Sequence, residues 1–173
     1  HNRLLDITKA KLFYEKNSSF IASIICNLTM KWDTTIDTAQ TDGVSISWNP
    51  DFFMSLCAQT KVTVLAHEAW HVAYQHMFRC GSRDPENFNI AADHVINLML
   101  EEHGYYMKGF PYVMDKQYRN MSTEQIYDLL PPQSNSTTVQ LSGALAYPAP
   151  NGKATDGSAP AKKADSLGKV ISA

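Results

Sequence analysis

Apolar residues fall at helical spacing twice near the start of the chain, over Leu4 to Lys16 and over Phe20 to Leu28, which predicts two helices. The Asn17-Ser18-Ser19 run between them supplies a break and a cap for the second. From Met30 the texture changes to alternation, over Met30 to Ile36 and Val44 to Trp48, with Val44, Ile46 and Trp48 facing one way and Ser45 and Ser47 the other. A period of two predicts strands, joined here through a turn at Thr41-Asp42-Gly43. Asn49-Pro50-Asp51 stops the second strand and opens a short helix, Asp51 to Ala58. Thr60 to Phe78 then reads as one long helix without internal Gly or Pro, closed by Cys80-Gly81. Pro85 opens another that reaches about Gly104. A Gly- and Pro-punctuated loop, Gly104 to Asn120, leads to a last helix from Thr123 to Leu130, capped by Ser122. The expected fold class is α+β, mainly helical, with a small sheet or hairpin ahead of the long helix.

After Leu130 this patterning stops. Residues 131–173 mix Pro, Ala, Gly, Ser and Lys with few large apolar side chains, too few to offset the entropy of ordering them. The segment reads as a low-complexity tail or linker, through which a partner can dock, following a folded domain over residues 1–130. The chain has 173 residues, 44% apolar and 18% charged, enough for one soluble domain with a hydrophobic core.

Fifteen Lys and Arg stand against seventeen Asp and Glu, a net charge of −2. Four of the lysines and only two of the aspartates lie beyond Pro132, so the folded part is the more acidic. Such a balance, with no basic stripe interleaved with aromatics, excludes nucleic acid as a main partner. No run approaches the ~20 apolar residues of a membrane span. Cys26, Cys57 and Cys80 are widely spaced with no Cys-x-x-Cys, so neither a disulfide framework nor a cysteine zinc ribbon is indicated. Reduced, buried thiols are expected. The N-terminus lacks the basic-then-apolar layout of a secretory signal, and a cytoplasmic location follows as the expectation.

Within the long helix stands His67-Glu68-Ala69-Trp70-His71, the H-E-x-x-H arrangement. Positions four apart differ by only ~40° around a helix, so both imidazoles project from one face and can grip one metal ion, with Glu68 beside the open coordination position. Zinc suits imidazole nitrogen and leaves room for a water. Glu68 is then the base that takes a proton from that water. His76 falls ~140° from His71 on the same helix and should point away, in a capping or packing role.

The third ligand has to come from elsewhere. The following helix carries Asn89, Asp93 and Asn97 in a polar line among Ile90, Ala91, Val95, Leu98 and Met99. A carboxylate in such company is costly unless it meets a cation, which favours Asp93, with His94 as the alternative. Asn89 and Asn97, one turn to either side, are candidates for orienting the ligands. Arg79 and Arg83 read as caps or partners of a buried acid. In the loop beyond, Tyr112 or Tyr118 is a candidate donor to an oxyanion.

The run Leu65-Ala66-His67-Glu68 through His71, His76, Arg79, Arg83-Asp84-Pro85, Asn89 to Asp93, Ile96-Asn97 and Asp115 to Ser122 with Glu124, Ile126 and Tyr127 resembles the metallopeptidase-type domain found N-terminal to von Willebrand factor A-like domains. Thr38 to Gly43 and Trp48-Asn49-Pro50-Asp51-Phe52 are similar to it as well, so the likeness spans about residues 12–130. It implies a zincin-like fold, with His67 and His71 binding zinc, Glu68 as catalytic base and Asp93 as third ligand. In this chain the low-complexity segment follows Leu130 where those relatives carry the A-type domain.

The expected function is therefore zinc-dependent hydrolysis of a peptide or protein substrate, its extended backbone adding to the edge of the Val44 to Trp48 strand. The alternative is a zinc-stabilised interaction module without catalysis.

Overall fold

Two short helices open the computed structural model, which describes residues 1–14 and 18–132: α1 (Asn2–Tyr14) and α2 (Ser19–Asn27). Residues 15–17, and the tail from residue 133 on, lie outside the described part. Of the run expected to supply a cap for α2, Ser18 stands at the N-cap position without a side-chain cap hydrogen bond, and Asn17 lies outside the described residues. The Ser18 hydroxyl donates instead to the Leu12 carbonyl at the end of α1.

A three-stranded sheet follows, made of β1 (Thr29–Trp32), β2 (Ala39–Thr41) and β3 (Ser45–Trp48) in the order β1-β3-β2. β3 pairs in parallel with β1, Thr29 opposite Ser45, and antiparallel with β2, Ala39 opposite Trp48. The expected pair of strands is thus joined not directly but across β2, a strand too short for its period to register in the sequence. The Thr41-Asp42-Gly43 turn links β2 to β3. It closes because Asp42 Oδ1 accepts the Val44 and Ser45 amides at 2.9 and 2.5 Å and Gly43 takes φ +88°. Val44 lies outside the strand and is 71% exposed, while Ser45 is buried, so the inward face holds Ile46 and Trp48 without Val44.

Asn49 caps α3 (Pro50–Ser55), accepting from the Asp51 and Phe52 amides. Phe53 of α3 then meets the rings of Trp48 and Trp32 edge-on, both at 5.2 Å. Next comes α4 (Ala58–Ala73), whose cap is the exposed Cys57. Cys26 is exposed as well and Cys80 buried, all three with free thiols, so the expectation of buried cysteines fails for two of them.

α4 packs against α1, α2, β2 and α6, which explains why nearly every residue from Thr60 to His71 is buried. Three polar positions in its first turns are satisfied: Thr60 and Thr63 donate to the Lys108 and Tyr106 carbonyls at 2.7 and 3.0 Å, and Lys61 donates to Leu56 O beneath the Phe53 ring. The expected single helix to Phe78 is in fact two. α4 ends at Ala73, Gln75 turns left-handed at φ +55°, and a one-turn α5 (His76–Arg79) starts in a new direction.

α6 (Pro85–Glu102) is capped by Asp84, which accepts from the Asn87 amide. A 3₁₀ turn (Lys116–Tyr118) interrupts the loop after it. α7 (Thr123–Leu129) opens with a full capping box between Ser122 and Gln125 and packs on α6, Ile126 and Phe88 both fully buried. The fold is mainly helical with a small mixed sheet ahead of the central helix. No helix among the described residues is long and apolar enough to cross a membrane.

Candidate metal centre

Helical spacing places His67 and His71 on the same face of α4, and the α4–α6 packing brings Asp93 against them. The two Nε2 atoms lie 2.9 Å apart, and Asp93 Oδ1 is 3.3 Å from His67 Nε2 and 3.0 Å from His71 Nε2. All three side chains are buried. Among the described residues they form the candidate metal-holding group of His, Cys, Asp and Glu side chains.

The arrangement fits a cation better than a proton. The carboxylate contacts are close but not aligned as hydrogen bonds, so Asp93 Oδ1 is left without a donor. A proton between the two Nε2 atoms would pair the rings with each other and still leave the Asp93 oxygen without a donor. Ligand bonds of about 2.0–2.2 Å in a tetrahedral zinc site set the ligand atoms about 3.3–3.6 Å apart. The separations of 2.9, 3.0 and 3.3 Å lie at or a few tenths of an ångström below the lower end of that range.

Glu68 lies next to the first histidine on the buried helix, and neither of its carboxylate oxygens has a partner. Burial pushes its carboxyl up to about 7, with His67 pulling it down and Asp93 adding to the rise. Burial also works against charge on Asp93, but pairing with His67 and His71 outweighs it and holds that carboxyl below the usual range. The same pairing overcomes burial at His67 and raises it, whereas at His71 burial prevails and lowers it. A negative carboxylate between two buried imidazoles, with an orphaned acid beside them, is the electrostatic demand a divalent ion meets.

The outward nitrogens of both histidines have partners. His67 Nδ1 lies 3.0 Å from Asn97 Oδ1, and Asn97 Nδ2 donates to the Val113 carbonyl at 2.8 Å. His71 Nδ1 lies 3.2 Å from His76 Nδ1. His76 is fully buried at 0% exposure, held down to about 2 by burial and then by His71 and Arg79, so it is neutral. The expectation that His76 points away fails because it extrapolates α4 past Tyr74. The left-handed Gln75 redirects the chain and returns His76 to the site. No glycine or proline marks the break, so only the density of histidines between 67 and 76 hinted at it.

Elsewhere the expected residues separate. His94 turns from the cluster: its Nδ1 accepts the Asp115 amide at 3.1 Å and its ring meets Tyr118 edge-on at 4.8 Å. Tyr118 lines a cleft with Tyr74, Met99 and Met121, and Tyr112 packs on Phe110 at 5.3 Å. Neither tyrosine is placed among the cluster. Asn89 is half-buried one turn before Asp93, and the hydrogen bond that reaches a cluster histidine from this polar line is Asn97's. Arg79 grips Glu124 through Nε and Nη2 at 2.7–3.0 Å, and Arg83 lies over the Phe88 and Tyr127 rings.

The family model described as Putative metallopeptidase domain matches residues 3–169, a longer stretch than the motif-bearing residues 12–130. Neither the curated proteins nor the solved structures give a significant match.

Proposed function

The chain belongs to the family described as Putative metallopeptidase domain, and from that premise we propose that it is a zinc-dependent hydrolase of peptide bonds on a zincin-like scaffold, with His67, His71 and Asp93 as ligands and Glu68 as general base. The observation that carries this reading is the Glu68 carboxylate, buried beside a ligand candidate with both oxygens unpartnered. A site that only held a structural metal would gain nothing from that desolvation cost. Two imidazoles and one carboxylate suit zinc and leave a fourth position open.

When bound, zinc supplies Lewis-acid polarisation of the scissile carbonyl and makes a water acidic enough to attack at neutral pH. The residues do the rest. Glu68 accepts the proton at a carboxylate oxygen and passes it to the leaving amine. Asn97 holds the His67 ring by taking its Nδ1–H. An extended substrate adds to β2 rather than to the Val44–Trp48 strand, because β3 is paired on both sides while β2 is an edge strand packed on α4.

Glu68→Gln keeps the shape of the side chain and removes the base. Incubating wild type and variant with unfolded protein, and reading new termini by mass spectrometry, is expected to show cleavage that falls about 10²-fold or more in the variant at equal zinc content. Equal cleavage by both removes Glu68 as base. No cleavage by fully zinc-loaded wild type favours the interaction-module reading.

A further inference from the structure

His76 is a buried histidine that the chemistry above does not use. The left-handed Gln75 swings its ring edge-on against His71, centroids 5.2 Å apart at 72°. One nitrogen, Nδ1, faces His71 Nδ1 at 3.2 Å, and the other, Nε2, faces Thr123 Oγ1 at 3.0 Å. Phe88 closes a further side at 6.2 Å.

These contacts fix an order of protons once His71 serves as a ligand. His71 offers Nε2 to the cluster, so that atom needs its lone pair and the ring hydrogen sits on Nδ1. The hydrogen then points at His76 Nδ1, which accepts it. His76 consequently carries its own hydrogen on Nε2 and donates to the Thr123 hydroxyl oxygen. The reverse order places a hydrogen on His71 Nε2, where ligation through that atom is impossible.

The helix that Thr123 opens is held through its neighbours by contacts that do not involve the histidine side chains. Arg79 of α5 clamps Glu124 with both oxygens engaged, and the Tyr127 hydroxyl accepts the Asp84 amide at 2.9 Å. The start of α7 is thereby tied to the same short helix that begins with His76.

Resting on the metal site proposed above, we propose that His76 is a positioning residue that holds His71 as its Nδ1–H tautomer, and that Thr123 completes the hold. Affinity for the ion therefore depends on α7, a helix that contributes no ligand. It is the counterpart, on the second histidine, of the Asn97 contact on the first.

Two readouts on the zinc-loaded and zinc-free chain test this. Competition with a chromophoric chelator gives zinc affinity, and long-range ¹H–¹⁵N spectra of the imidazoles give the His71 tautomer. His76→Leu is expected to lose about 10- to 100-fold in zinc affinity and to leave zinc-free His71 in a mixture of tautomers. Thr123→Val shifts both readouts the same way by less. His76→Gln, whose amide can accept from His71 and donate to Thr123, recovers most of the loss, and it decides the matter if the leucine variant does not fold.

A merely structural His76 would lower the melting temperature of these variants without moving the tautomer. Folded His76→Leu with wild-type affinity and an unmixed His71 tautomer overturns the inference. Thr123→Val with both readouts unchanged overturns the part given to α7. A wild-type chain that takes up no zinc overturns the metal site on which the inference rests, and is told apart by needing no variant.

Discussion

Five neighbouring side chains, His67, Glu68, His71, His76 and Asp93, are each no more than 2% exposed, and none belongs to the types that burial favours. His76 gives the cleanest measure of that cost. Burial, with His71 and Arg79 adding, keeps it neutral down to about pH 2 against an ordinary 6.5, so the unfolded chain takes a proton there that the fold refuses. Nothing is lost above 6.5. Stability falls as pH drops from 6.5 toward 2, by up to about 1.4 kcal/mol per pH unit. In chelator-treated protein, urea unfolding between about pH 7.5 and 4.5 is expected to show a shallower acid loss in His76→Gln than in wild type. Parallel curves would contradict a neutral buried ring. His67, His71 and Asp93 could be picked out in the sequence because helix period and an ionisable residue in an apolar line are local signals. The His76 contact was not, since it depends on where a helix stops.

Among the elements, the break between α4 and α5 does the most to shape the site. A left-handed non-glycine residue costs roughly 1–2 kcal/mol, and here Gln75 bears it at φ +55° because Arg79 and His76 anchor the turn on α7. A β-branched side chain tolerates that backbone worse. Gln75→Val is therefore expected to lower stability by about 1–2 kcal/mol in urea unfolding, and to weaken zinc binding with it. Unchanged values on both counts would mean the turn does not position His76. Sequence pattern carried the other helices to within a few residues, through Asn49-Pro50-Asp51, Pro85 and the Ser122 cap. It missed β2 because three residues, Ala39–Thr41, show no period, and it missed the parallel β1–β3 pairing because that contact is non-local. Asp42 and Gly43 were legible as a turn, but what they join depends on the strand that was not seen.

At the scale of the molecule, α1 and α2, the β2 edge of the sheet, and α6 all pack on α4. This enclosure sets the dielectric in which two imidazoles, one carboxylate and an orphaned glutamate must coexist, which is the ground for the metal site proposed above. The most direct measurement is zinc content by elemental analysis, after equilibration with buffered zinc and removal of excess, for the wild-type chain and an Asp93→Ala variant of unchanged helical circular dichroism. Close to one zinc per wild-type chain and a large loss in the variant are expected. A wild-type chain without bound metal, or a variant that retains it fully, would contradict the site.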